Sequence, residues 1–174
     1  DQLSSPSCKA CPKGFFSSNN DKEKEACGAC DAGTYSETKA VICISCPDGY
    51  FNDQLNAYSC EECPKGFYSS TNNEEKKACD ACLPGTYSDQ TKATLAPTCQ
   101  LCALGAYQHS SGSSSCILCP AGKKLTASGA SEDHDSINDC EDCPLFQFSP
   151  VEGLSEECYP CVTARVKGSI DCDG

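Results

Sequence analysis

The sequence predicts a fold of small disulfide-rich repeats: an elongated rod of short two-stranded β-ribbons and loops, with little helix and no single hydrophobic core. Three observations predict it. Cys-x-x-Cys occurs nine times in 174 residues, at Cys8/Cys11, Cys27/Cys30, Cys43/Cys46, Cys60/Cys63, Cys79/Cys82, Cys99/Cys102, Cys116/Cys119, Cys140/Cys143 and Cys158/Cys161, and Cys172 stands alone. Leu, Ile, Val and Phe together number 25, and Met and Trp are absent, which is too little apolar surface for one core in a chain this charged. The stretches that follow the pairs also repeat one another, which decides the architecture before any local reading.

Ordering each residue costs roughly 1–2 kcal/mol of backbone entropy, so crosslinks must replace the missing core. Two chemistries compete. Four-cysteine zinc sites use C-x2-C-x15–20-C-x2-C, and Cys8, Cys11, Cys27 and Cys30 fit that spacing. The successive gaps are 15, 12, 13, 15, 16, 13, 20 and 14 residues, however, and several fall short of the zinc range. Nine pairs do not divide into fours, and neither His109 nor His134 stands at a ligand spacing. Redox catalysis needs one activated thiol at a helix N-terminus, not nine equivalent copies. Disulfides are the better reading, and they place the chain outside the cell or on its surface.

Aligned on the second cysteine of each pair, the segments share a turn and a strand. Pro follows directly at 12, 47, 64, 120 and 144, fixing φ to open a turn. Three residues on stands Gly14, Gly33, Gly49, Gly66, Gly85, Gly105 or Gly122, suited to the φ > 0 that closes the turn. Five residues on stands Phe16, Tyr35, Phe51, Tyr68, Tyr87, Tyr107 or Phe148. Each ring opens a two- or three-residue strand and can lie over a neighbouring disulfide. Ser follows at 17, 36, 69, 88 and 149. The unit is C-x-x-C-P-x-G-x-Y-S and then a polar loop.

The loops differ. Asn20–Ala26 and Asn73–Ala78 each suit one helical turn behind an Asn cap, with their charges as a solvated face. Ser110–Ser115 reads as a flexible or O-glycosylated loop, and Thr91–Thr98 as another site for O-glycans. The acidic loop of Asp133, His134 and Asp135 offers carboxylate oxygen ligands without the glycine and spacing of a calcium loop.

A longer period lies above the short one. "CPKGFFSSNNDKEKEACGAC" answers to "CPKGFYSSTNNEEKKACDAC" one triplet later. This divides the chain into super-repeats at 1–59, 60–115 and a degenerate 116–171, with 172–174 as the start of a fourth or a contact to a neighbour. In the third, Lys124 and Val166 replace aromatics, and Phe146 and Ala164 replace glycines.

The simplest disulfide scheme joins the second cysteine of each pair to the first of the next: Cys11–Cys27, Cys30–Cys43, Cys46–Cys60, Cys63–Cys79, Cys82–Cys99, Cys102–Cys116, Cys119–Cys140, Cys143–Cys158 and Cys161–Cys172. It leaves Cys8 unpaired or interchain. A crossed scheme, first-to-first and second-to-second, is the rival, and the sequence does not choose between them. Local bridges imply that each segment touches its neighbours and little else.

The run Cys11-Pro12-Lys13-Gly14-Phe15-Phe16-Ser17, with Cys30 through Ser36, Cys63 through Ser69 and Cys82 through Ser88, resembles the ephrin-receptor-like cysteine-rich repeat. That repeat belongs to the wider growth-factor-receptor and tumour-necrosis-factor-receptor-like group. The resemblance covers nearly the whole chain and weakens after Cys119. It implies stalks, filaments and surface proteins, and it brings no catalytic residues.

Function classes narrow accordingly. The net charge of −12 opposes nucleic acid. No run approaches 18 apolar residues, so no membrane span is expected within the chain, which reads as a mature or trimmed secreted segment. No Ser/His/Asp constellation, cofactor site or metal site is expected. The first hypothesis is a non-enzymatic structural rod in a filament, stalk or cell-surface coat, self-associating or contacting neighbouring copies. The alternative is a ligand-binding receptor ectodomain, although the single Arg165 leaves little of a hot-spot signature.

Overall fold

The computed structural model describes residues 10–17, 27–69, 75–94, 98–127, 129–162 and 166–172. Among them no α-helix forms. The regular structure lying wholly within the described residues is eight two-stranded antiparallel ribbons and two short 3-10 turns. Among the described residues no helix is long and apolar enough to cross a membrane.

The chain divides into two compact units. The first comprises 1–63 with 69–79, and the second 64–68 with 80–174. In the first unit β1 (Phe15–Phe16) pairs with β2 (Gly28–Ala29), β3 (Thr34–Tyr35) with β4 (Ile44–Ser45), and β5 (Tyr50–Phe51) with β6 (Glu61–Glu62). In the second unit β7 (Phe67–Tyr68) pairs with β8 (Asp80–Ala81), and β9 (Thr86–Tyr87) with β10 (Gln100–Leu101). There too β11 (Ala106–Tyr107) pairs with β12 (Ile117–Leu118), β13 (Lys123–Lys124) with β14 (Glu141–Asp142), and β15 (Gln147–Phe148) with β16 (Tyr159–Pro160). Every strand has two residues. The odd strands carry the aromatic position, and the even strands are the two residues between the cysteines of a pair.

A tight turn launches each odd strand. The carbonyl of the residue after the second cysteine accepts from the N–H three residues on, as in Phe15 N to Pro12 O at 3.2 Å and Phe67 N to Pro64 O at 3.1 Å. The recurring glycine holds the third position with φ near +80°, for example +80° at Gly14 and +84° at Gly66, which makes this a type II turn. Its carbonyl then receives the N–H of the second cysteine of the next pair, as in Cys30 N to Gly14 O at 2.9 Å and Cys82 N to Gly66 O at 2.8 Å.

The polar loops hold a second left-handed residue that the sequence does not announce. Lys39, Asn56, Lys76 and Lys92 have φ between +43° and +65°, and Gly112, Gly153 and Gly168 stand at the same place in their loops. The residue after it lies beside the aromatic strand of the preceding segment. Phe16 bridges Ala40, Tyr68 bridges Ala93, Lys124 bridges Leu154 and Phe148 bridges Ser169, all in parallel. The N–H of the left-handed residue reaches back to the second cysteine of the preceding segment, as in Lys39 N to Cys11 O at 2.9 Å and Gly112 N to Cys82 O at 2.8 Å.

The left-handed turn also reaches further back. A Cβ built on Gly14 would stand 1.9 Å from the carbonyl oxygen of Asn56, two segments along, and one on Gly66 would stand 2.1 Å from that of Gly112. The contacts therefore extend to second neighbours, beyond the nearest-neighbour limit expected from local bridging. A carbonyl takes the place a side chain would need.

Two loop expectations change. Ser110–Ser115 is held in place: Ser113 O accepts from Ser88 N, Ser113 Oγ donates to Ser110 O, and Ser115 O accepts from Gln108 Nε2 at 2.8 Å. Its Gly112 is the docking turn, so the serines are not a free linker. The helical turn expected at 20–26 lies outside the described residues. Of the one expected at 73–78, residues 75–78 are described, and Lys76 at φ +43° breaks any helix there.

Replacing Gly66 with Ala strains the φ > 0 turn and drives a Cβ into the Gly112 carbonyl. The variant is expected to lose on the order of 2 kcal/mol or more, read as a lowered denaturation midpoint with the disulfides intact.

Candidate functional site

The repeated joint is where this chain concentrates its buried chemistry. Nine disulfides link Cys11–Cys27, Cys30–Cys43, Cys46–Cys60, Cys63–Cys79, Cys82–Cys99, Cys102–Cys116, Cys119–Cys140, Cys143–Cys158 and Cys161–Cys172. Their Cα–Cα distances of 5.5–5.8 Å lie in the ordinary range. The first eight bridges each tie the base of an odd strand to its ribbon partner, and Cys161–Cys172 closes the loop after the last ribbon. Cys8 lies outside the described residues.

The second cysteine of each described pair is buried. Cys30, Cys63, Cys82, Cys119 and Cys143 are fully enclosed, while most first cysteines are half-covered. The rings are half-buried except for Tyr107, which packs with Leu125 and with Cys119 and Cys140 of the next bridge. One ring, one leucine and one cystine thus form the local core at that joint.

The recurring serine is the residue whose role the sequence leaves open. Ser36, Ser69, Ser88 and Ser149 are 0–1% exposed. Their backbone carbonyls accept from the turn glycine of the preceding segment: Gly14 N to Ser36 O at 2.9 Å, Gly66 N to Ser88 O at 2.8 Å and Gly122 N to Ser149 O at 2.9 Å. Ser36 Oγ also donates to Phe15 O at 3.0 Å, and at the next joint Asn52 Nδ2 donates to Thr34 O at 2.9 Å. A small hydroxyl in five of nine copies was the signal, because a buried polar group needs a partner.

At the seventh segment Leu125 replaces that serine, and a different donor serves the equivalent carbonyl. The longest loop forms 3-10 turns at Ser131–His134 and Ile137–Asp139. His134, 1% exposed, brings Nδ1 to 3.0 Å from Ala106 O. A carbonyl only accepts, so Nδ1 carries the proton. Nε2 is buried with no partner among the described residues. Asp133 accepts from Ala130 N through Oδ2 at 3.1 Å. Asp133 therefore serves the loop itself and His134 ties the loop to the preceding segment, so the Asp133–His134–Asp135 run is not an open acidic loop.

Lys76 departs from the solvated face expected of its charged run. It is 5% exposed, its ammonium is 2.6 Å from Asp48 Oδ1, and it donates to Ser69 Oγ at 3.3 Å. The pair ties the docking turn of one segment to the tight turn of the preceding one, alongside Asn52 N to Lys76 O at 3.0 Å. In the second unit Lys124, where an aromatic is usual, pairs with Glu157 at 2.5 Å, and Lys123 pairs with Asp142 at 2.7 Å.

Three matches to the model described as "Tyrosine-protein kinase ephrin type A/B receptor-like" fall on residues 33–71, 53–96 and 94–135, together more than half of the chain. The chain belongs to the ephrin-receptor-like cysteine-rich family. The matched residues hold the turn glycines from Gly33 to Gly122 and the buried Ser36, Ser69 and Ser88. Among proteins similar to this family member is mouse "Signal peptide, CUB and EGF-like domain-containing protein 2", 31% identical over 87% of this chain and 16% of the relative. Mouse "Sushi, von Willebrand factor type A, EGF and pentraxin domain-containing protein 1" is 33% identical over 78% of this chain and 4% of its own length. Dog "Tumor necrosis factor receptor superfamily member 5" is 31% identical over 74% of this chain and half of the receptor. The chain thus spans a small part of the first two relatives. It is a cysteine-rich repeat region of the extracellular type.

Removing the Asp48 carboxylate leaves a buried ammonium with only a hydroxyl acceptor. Asp48→Ala is expected to cost on the order of 1–3 kcal/mol. Lys76→Met, which keeps the stem and removes the charge, is expected to cost less. Parallel thermal unfolding of the two variants reads the order.

Proposed function

We propose that this chain is a non-enzymatic structural repeat region of an extracellular protein, a disulfide-laddered spacer in a stalk, filament or cell-surface coat. The observation that carries the reading is the use made of its reactive and polar side chains. The cysteines of the nine bridges are spent on S–S bonds, and the buried serines, Lys76 and His134 each hold one segment to another. Each joint keeps its neighbours in fixed register, which is what a spacer requires. Neighbouring copies are the proposed partners, and O-glycans are proposed on the exposed Ser and Thr of the loops.

A second reading is a ligand-binding receptor ectodomain. It is favoured by the 31% identity to a tumour necrosis factor receptor superfamily member over half of that receptor's length.

Light scattering and electrophoresis, run with and without reductant, distinguish the two. The structural reading expects self-associated species under non-reducing conditions that fall to monomer on reduction. A discrete monomer that binds a soluble protein ligand tightly would overturn it and support the receptor reading.

A further inference from the structure

We propose that Phe146 is an end-stop for the segment stack: a segment that follows Cys172 is barred from docking on the eighth segment as others dock along the chain. The argument rests on one backbone position. At Gly14, Gly33, Gly66, Gly85, Gly105 and Gly122 an added Cβ would meet a carbonyl oxygen of the loop two segments along at 1.7–2.1 Å. No side chain gives way there, because the obstacle is backbone. Those glycines are needed twice, once for φ and once for the approaching carbonyl.

Phe146 holds the same position in the eighth segment. Its φ is +66°, Gln147 N donates to Pro144 O at 3.1 Å, and Cys161 N donates to Phe146 O at 2.7 Å. The turn and the ribbon hydrogen bond are therefore kept, and only the Cβ is new. A bulky residue at positive φ is a rare and costly choice. It persists in a turn whose side chain gains little from packing, since Phe146 is 57% exposed and its neighbour Leu145 47%. The space that a docking carbonyl occupies over the six glycines is filled at position 146 by the residue's own side chain. Repeat arrays commonly close with a unit whose outer face no longer accepts another, and this substitution produces such a unit while leaving the disulfide ladder intact. The inference is independent of whether the chain serves as a spacer or a receptor.

The test adds a segment. Residues 44–60 are fused directly after Cys172, so that the copied Cys46 and Cys60 can form their bridge and the copied Asn56 is the docking turn. In its native place the Asn56 amide donates to Cys30 O at 2.8 Å, so its hydrogen exchange is slowed, and it is the internal control for folding. With Phe146 present, the copied Asn56 amide is expected to exchange as an unprotected amide. Phe146→Gly in the same fusion is expected to slow it by ~10-fold or more, the mark of a docked rather than an open segment. Equal protection in both fusions would overturn the end-stop. Equal lack of protection would overturn it too, because removing the Cβ would then have opened nothing.

Discussion

The closure of each ribbon by a disulfide is the constraint on which the rest depends. A hairpin of two residues per strand has too few hydrogen bonds and too little apolar cover to stand alone in water. Each bridge closes a loop of some 11–21 residues, and in the chain-entropy account a loop of about 15 residues is worth about 3 kcal/mol. With its base fixed, the tight turn, the ribbon and the docking turn each add hydrogen bonds to a backbone whose ordering entropy is already reduced. The buried face of the joints at Ser36, Ser69, Ser88 and Ser149 is then half a cystine, a serine and part of one ring. This is why 25 large aliphatic and Phe residues suffice for 174 positions.

The ribbons and the ladder are legible in the sequence because their determinants are side chains with rigid meanings. Cysteine spacing marks the bridges, Gly14 and its equivalents mark a φ > 0 turn, and the ring two residues later marks a strand. The docking turn is much less legible. Lys39, Lys76 and Lys92 share that place with Asn56 and with three glycines, because what docks is a carbonyl and an N–H, which every residue owns. Gly112, Gly153 and Gly168 were the available hint, each followed by Ser or Leu in the bridging place. The second duty of the turn glycines is hidden for the same reason: the backbone that excludes a Cβ from Gly14 lies 42 positions away, at Asn56.

Departures from the pattern follow the same physics. Leu125 gives up a hydroxyl, and the carbonyl so released is met by His134 from a loop long enough to reach it. Lys124 gives up a ring and gains an ion pair with Glu157. These positions look degenerate when only the consensus is read, but each replaced contact has a substitute, His134 in the same segment's loop and Glu157 in the next. Phe146 is different, since its neighbours supply no substitute for the glycine and the extra side chain stands exposed.

The placement of the bridges also fixes how the chain carries tension. A pull along the backbone crosses each loop through its S–S bond, so the load runs over one Cα–Cα step of 5.5–5.8 Å and the three peptide steps of a Cys-x-x-Cys. At roughly 3.3–3.6 Å per residue that path measures about 16 Å per segment, against about 60 Å for the same stretch without its bridge. The docking turns, the buried serines and the exposed loops all lie off this path. While its disulfides hold, the backbone path is thus limited to that shorter contour, and reduction of any one bridge releases the stretch of chain that the bridge encloses.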